Sequence, residues 1–148
     1  MSERQTGCVA LEIGMSTFEM PMTPSRILVI DDDPAVRRLF AEVLRLEGYA
    51  VQTAASVADA LREAYTCRPD AILLDYRLPE MSGLAFLYRL YASQSQSCTR
   101  VAVITGVADL DRNLSGELAG LHVPVYFKPL GAHDLLALTR RLLSPTIH

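Results

Sequence analysis

From Ser25 onward, short apolar runs alternate with amphipathic stretches, and this alternation predicts five strand-then-helix repeats. The expected strands are 26–31, built on Ile27-Leu28-Val29-Ile30; Tyr49 to Ala54; 71–75, built on Ala71-Ile72-Leu73-Leu74; 101–105, built on Val101-Ala102-Val103-Ile104; and Val123 to Phe127. Such a βαβα pattern is that of an α/β fold, a parallel sheet with helices on both faces.

Local chemistry places the helices between them. Asp33 reads as an N-cap and Pro34 as the first helical residue, where its missing N–H costs nothing. Val36, Leu39, Phe40, Val43 and Leu46 then recur at helical spacing until Gly48. Ser56 and Asp59 form a capping box for a second helix carrying Val57, Ala60, Leu61 and Ala64, which Arg68-Pro69-Asp70 breaks. A loop with Pro79 and Gly83 leads to a third helix whose Leu84, Leu87, Leu90 and Tyr91 share a face, before the polar turn from Ser93 to Ser97. The fourth helix, about 107–119, contains Asn113, Ser115 and Gly116, and this low propensity predicts local mobility. Leu135, Leu138 and Leu142 mark a last helix ending before Pro145.

Residues 1–24 show neither period and read as a loose tail, with Val9-Ala10-Leu11-Glu12-Ile13 as its one candidate element and Met15, Met20 and Met22 as alternative starts. The expected domain is 25–145, followed by a short tail at 146–148, with no room for an effector domain. At 148 residues the chain fits one domain that needs no disulfide or metal to hold its core. With 14 basic and 17 acidic residues and no Lys/Arg run, direct nucleic-acid binding is not expected. Cys8, Cys67 and Cys98 are odd in number and lack metal or CxxC spacing, so they read as reduced thiols. No stretch approaches the ~18 apolar residues of a membrane span and no signal peptide is visible, so the expected location is cytoplasmic. His122, His133 and His148 have no mutual spacing for a metal and no Ser or Cys partner in a catalytic pattern.

The informative chemistry sits where strands end. Asp31, Asp32 and Asp33 close the first run, Asp75 the third, Thr105 the fourth and Lys128-Pro129 the fifth. Carboxyl ends of parallel strands near a topological switch point form a ligand crevice, so these groups are expected to converge. Clustered carboxylates repel one another and favour a bound cation. Mg²⁺, with its octahedral oxygen shell, suits one or two carboxylates plus waters and a phosphate, whereas acids alone also fit a structural Ca²⁺. Thr105 and Lys128 tip the balance, because a hydroxyl and an ammonium suit phosphoryl oxygens. Asp75 is then the candidate nucleophile of an aspartyl phosphate.

The segments Ile27 to Pro34 (ILVIDDDP) and Ile72 to Gly83 (ILLDYRLPEMSG), with Thr105-Gly106 and Lys128-Pro129, resemble the receiver domain of two-component response regulators over about residues 25–145. The resemblance implies a flavodoxin-like (βα)5 fold with strand order 2-1-3-4-5, phosphorylated on Asp75 by a histidine kinase or histidine phosphotransfer protein. By position, Asp32 would ligate Mg²⁺ directly, Asp31 mainly through water, and Asp75 and the backbone carbonyl of Arg77 would complete the protein ligands. Thr105 would meet a phosphoryl oxygen, Lys128 would pair with the carboxylate or phosphoryl, the bond before Pro129 would be cis, and Gly106 would leave room for the donor. The side chains at Arg77 and Val107 would tune water access to the acyl phosphate.

One position departs from the family pattern. Three residues before the lysine, where an aromatic usually reports the state of the threonine, stands Val125. The run VPVYFKPL instead resembles receivers of hybrid histidine kinases. The resemblance implies a switch in a two-component system or phosphorelay, acting on a downstream effector protein. Dimerisation through the fourth and fifth helices and last strand is common in that family. The competing expectation is an interaction module that works without phosphorylation. A third, an aspartate-nucleophile phosphatase of the haloacid dehalogenase type, requires an acid two residues after the nucleophile, where Arg77 stands.

Overall fold

The structure, a computed structural model, describes residues 23–92, 99–106 and 112–144. Its elements follow the expected alternation: β1 (Arg26–Ile30), α1 (Pro34–Leu46), β2 (Ala50–Ala54), α2 (Val57–Cys67), β3 (Ala71–Asp75), α3 (Gly83–Ala92), β4 (Arg100–Thr105), α4 (Arg112–Gly120), β5 (Val125–Phe127) and α5 (Ala132–Leu143). All strand pairs are parallel, in the order β2-β1-β3-β4-β5. The chain reverses its direction of travel across the sheet between β1 and β3, and that switch point sets the place of the site.

Side chains of successive strand residues go to opposite faces, and two cores result. Leu28, Ile30, Ile72, Leu74, Val101 and Val103 pack under α2, α3 and α4. Ile27, Val29, Leu73, Ala102 and Ile104 pack under α1 and α5. Every residue of β3 is buried, which leaves Asp75 as a carboxylate at the end of a wholly apolar strand. Capping follows the chemistry of the residues: the Asp33 carboxylate accepts from the Ala35 N–H with Pro34 in the first turn, and Ser56 Oγ accepts from the Asp59 N–H. Gly48, at φ +104°, lets the chain leave α1.

Several expectations shift. In α1 the sheet-facing residues are Phe40, Ala41 and Leu44, while Leu39 and Leu46 of the expected stripe are 53% and 88% exposed. The third helix buries Phe86 along with Leu87 and Leu90, and Tyr91 stays 38% exposed. β2 begins at Ala50 rather than Tyr49, and β5 at Val125 rather than Val123. The Val123 N–H is spent on the Leu118 carbonyl and Pro124 has no N–H, so pairing starts with the Pro124 carbonyl, which accepts from Val103. α4 is described from Arg112, so the expected start near 107 lies outside the described residues, as do Val9–Ile13, Cys8, Cys98, the 93–97 turn and both terminal tails apart from Thr23 and Pro24.

The β3–α3 loop is closed on itself. The Gly83 N–H donates to the Tyr76 carbonyl at 2.7 Å, and Arg77 and Ser82 form an antiparallel bridge. A Cβ at Gly83 would stand 3.0 Å from the Tyr76 Cα, so Gly83→Ala must push backbone aside. The expected loss is roughly 1 kcal/mol in urea denaturation.

Candidate functional site

Strand register brings the acids together. Ile30 is the partner of Leu74, so the next residue of each strand, Asp31 and Asp75, are neighbours at the carboxyl edge. Asp32 follows as the chain turns into α1. One carboxylate oxygen from each of Asp31, Asp32 and Asp75 lies within 4.8 Å of the other two. Asp31 and Asp75 are 3% and 7% exposed, while Asp32 faces solvent. Backbone amides hold the two buried carboxylates: the Asp33 N–H donates to Asp31 Oδ1 at 2.9 Å and the Arg77 N–H to Asp75 Oδ1 at 3.3 Å. Arg37 Nη1 donates to the Asp31 carbonyl at 2.9 Å, a contact with no signal in the sequence.

Lys128 enters from the far side of the cleft. Its N–H donates to the Thr105 carbonyl, continuing the β4–β5 ladder past its last pair and fixing the base of the side chain. Nζ lies 3.1 Å from Asp31 Oδ2 and 3.5 Å from Asp75 Oδ1, so the ammonium bridges both carboxylates and sits nearer Asp31. The Lys128–Pro129 bond is cis, as the resemblance implies. The acids, Arg77, Gly106 and Lys128 line an open cleft of about 600 Å³.

Electrostatics follow from this packing. Burial and the neighbouring Asp31 charge push Asp75 up to about 6, against the pull of Lys128 and the Arg77 amide. Burial works to lower Lys128, but the Asp31 and Asp75 charges outweigh it and hold the ammonium above its ordinary value. Lys128→Met should therefore raise the Asp75 midpoint above about 6. A carboxyl titration followed by NMR checks this, and an unchanged midpoint contradicts it.

Thr105 is placed differently from the others. It ends β4 and is buried, and its hydroxyl donates to the Gly106 carbonyl at 3.3 Å. Asp33 caps α1 and also borders the cleft, so it serves the site through its amide. Val125 packs, half-buried, with the cluster that holds Leu114 and Leu118; Tyr126 faces the opposite core, and Phe127 is 41% exposed. None of the three therefore supplies a buried aromatic beside Thr105 on that face. Cys67 ends α2 and donates to Glu63 Oε1; burial and Glu63 push the thiol up, which keeps the reactive thiolate scarce. Glu80, in the loop after Asp75, accepts from the Val57 N–H at 3.2 Å. Among the described residues, the Asp31-Asp32-Asp75 group is the sole His/Cys/Asp/Glu cluster arranged to hold a metal ion.

A family model described as the response regulator receiver domain matches residues 27–140. The transcriptional regulatory protein PrrA of Mycobacterium bovis is 35% identical over 122 residues, covering 82% of this chain and 51% of PrrA. The response regulator MprA of Mycobacterium sp. strain KMS is 34% identical over 125 residues, covering 83% of this chain and 52% of MprA. The chain thus spans about half the length of these relatives. Among solved structures, the chemotaxis protein CheY4 of Vibrio cholerae superposes with a TM-score of 0.75 at 25% identity, covering 82% of this chain and all of that one (100%). A CheY-like receiver domain protein of Methanospirillum hungatei JF-1 gives 0.74 at 25% identity, over 82% of this chain and 94% of that one.

Proposed function

Because the chain belongs to the response regulator receiver domain family, we propose that Asp75 accepts a phosphoryl group from a phosphohistidine donor and that the resulting charge changes how the domain binds another protein. The observation that carries this reading is the convergence of three carboxylates and one ammonium at the sheet's switch point. A midpoint of about 6 leaves Asp75 largely ionised at neutral pH, as a nucleophile must be. An Asp75 oxygen attacks phosphorus, the phosphorus–nitrogen bond of the donor breaks, and its electron pair returns to the imidazole, which takes up a proton.

Asp31, Asp32 and Asp75 fit a hard cation: they offer oxygen ligands only, and their mutual repulsion favours neutralisation. With the Arg77 carbonyl they are the proposed holders of Mg²⁺, which when bound supplies charge neutralisation for the phosphoryl oxygens. Lys128 is the protein's own cation, already within 3.5 Å of Asp75 and able to pair with the incoming group. Thr105 would exchange the Gly106 carbonyl for a phosphoryl oxygen. Gly106 leaves the mouth of the cleft free of a side chain.

The added charge acts on the least firmly held element. α4 buries only Leu114 and Leu118, and Tyr88 on α3 reaches Glu117 at 3.4 Å. With Val125 in place of an aromatic, the signal would pass from Thr105 through the β4–α4 connection rather than by a ring changing rotamer. The proposed partners are a histidine kinase or phosphotransfer protein as donor and a protein as target. Among the described residues no helix is long and apolar enough to cross a membrane, and a cytoplasmic setting fits that donor.

A second reading, binding to a partner without phosphorylation, is favoured by the Thr105 hydroxyl being engaged with the Gly106 carbonyl and by Val125. Intact mass after incubation with Mg²⁺ and acetyl phosphate separates the two: one added phosphoryl group supports the switch, and an unmodified chain supports the constitutive module.

A further inference from the structure

We infer that Glu80 is a positioning residue for the cation site, holding the loop that carries Arg77 by capping the start of α2. This role rests on the cation reading of the acidic cleft given above. Glu80 lies five positions beyond Asp75 in the chain and accepts from the amide of Val57, the first residue of α2, 23 positions away. The N-terminus of α2 is capped in two parts as a result: Ser56 takes the Asp59 N–H locally, and a residue of the site's own loop takes the Val57 N–H. The same loop is pinned a second time by Leu78, which is buried in the core cluster that also holds Val57, Ala54 and Ala60. Between these anchors and Asp75 stands Arg77, whose amide holds Asp75 and whose carbonyl is the proposed ligand.

Two physical consequences follow. The Gly83–Tyr76 hydrogen bond and the Arg77–Ser82 bridge close the loop on itself and Leu78 seats it in the core, whereas the Glu80 bond ties this closed loop to the backbone of α2. Coupling is also reciprocal: if Glu80 helps the loop hold a cation, the cation helps Glu80 hold the first turn of α2. The site would thereby bias α2 as well as α4.

Titration of the full chain with MgCl₂ by calorimetry tests this, with amide exchange at Val57 as a second readout. Glu80→Ala should weaken Mg²⁺ binding about five- to tenfold. Glu80→Gln, which keeps the acceptor oxygen, should restore most of it. Ser56→Ala, which removes the other half of the cap, should leave Mg²⁺ affinity within about twofold of the parent. Mg²⁺ should slow exchange at Val57 in the parent and not in Glu80→Ala. Wild-type affinity in Glu80→Ala, an equal loss in Ser56→Ala, or no recovery in Glu80→Gln would each overturn the positioning role while leaving the cation site standing. Absence of Mg²⁺ binding in the parent chain would instead remove the cation reading itself, and the positioning role with it.

Discussion

At pH 8 the Asp75→Asn variant is expected to be more stable than the parent, by about 1–2 kcal/mol. The sign follows from proton linkage. Asp75 titrates near 3.8 when unfolded and at about 6 in the fold, raised first by burial and then by Asp31. Between those values the folded state binds more protons than the unfolded one, so parent stability falls as pH rises from about 4 to 6 and levels off above. An amide carries no such charge, so the variant lacks that fall. A carboxyl raised from 3.8 to about 6 corresponds to about 3 kcal/mol in full; relaxation of the open cleft and loss of the 3.5 Å contact to Lys128 reduce the expected gain. Urea denaturation of both proteins at pH 4 and pH 8 checks it: the curves should nearly coincide at the lower pH and separate at the higher. A variant less stable than the parent at pH 8 would mean that the Lys128 pair outweighs the repulsion.

Chelation of divalent cations should slow phosphoryl incorporation from acetyl phosphate by about 100-fold or more. Neutralising the developing charge on a transferred phosphoryl group contributes several kcal/mol to such reactions, and about 1.4 kcal/mol corresponds to each factor of ten. Here the cleft without a metal presents three carboxylates and one ammonium to an anionic donor. Lys128 cannot replace the metal, because its Nζ is shared between Asp31 and Asp75. Quench-flow or discontinuous mass measurement with and without EDTA gives the ratio, and a ratio near one would show that the acids act without a cation.

Much of the fold and site is readable from the residues because the informative groups lie where periodicity is strongest. Ile27 to Ile30 and Ala71 to Leu74 are strands whatever surrounds them, so the acids that follow must sit at a sheet edge, and parallel register does the rest. The phase of α1 is not readable. Val36, Leu39, Phe40, Val43, Leu44 and Leu46 span an arc of nearly half of that helix, and packing against α5 and the sheet selects one edge of it, Phe40 and Leu44, together with Ala41 beyond it. α3 is apolar on several sides, so Phe86 gives no stronger signal than Leu84. Long-range polar contacts have no local signature at all: Glu80 with Val57, Arg37 with the Asp31 carbonyl, and the preference of Lys128 for Asp31 over Asp75 are set by tertiary distance. The hydrogen bond of the Thr105 hydroxyl is likewise not readable from the residues, for a different reason. A threonine hydroxyl can bond to a nearby backbone carbonyl of its own chain, and here it uses that of Gly106.

The phosphoryl-transfer roles proposed for the cleft depend on Asp75 as the acceptor. Peptide mapping after incubation with Mg²⁺ and acetyl phosphate should place a single alkali-labile phosphoryl group on the peptide containing Asp75, and Asp75→Asn should carry none. A label that persists undiminished in Asp75→Asn, or maps to Asp31, Asp32 or a hydroxyl residue in the parent chain, would contradict it.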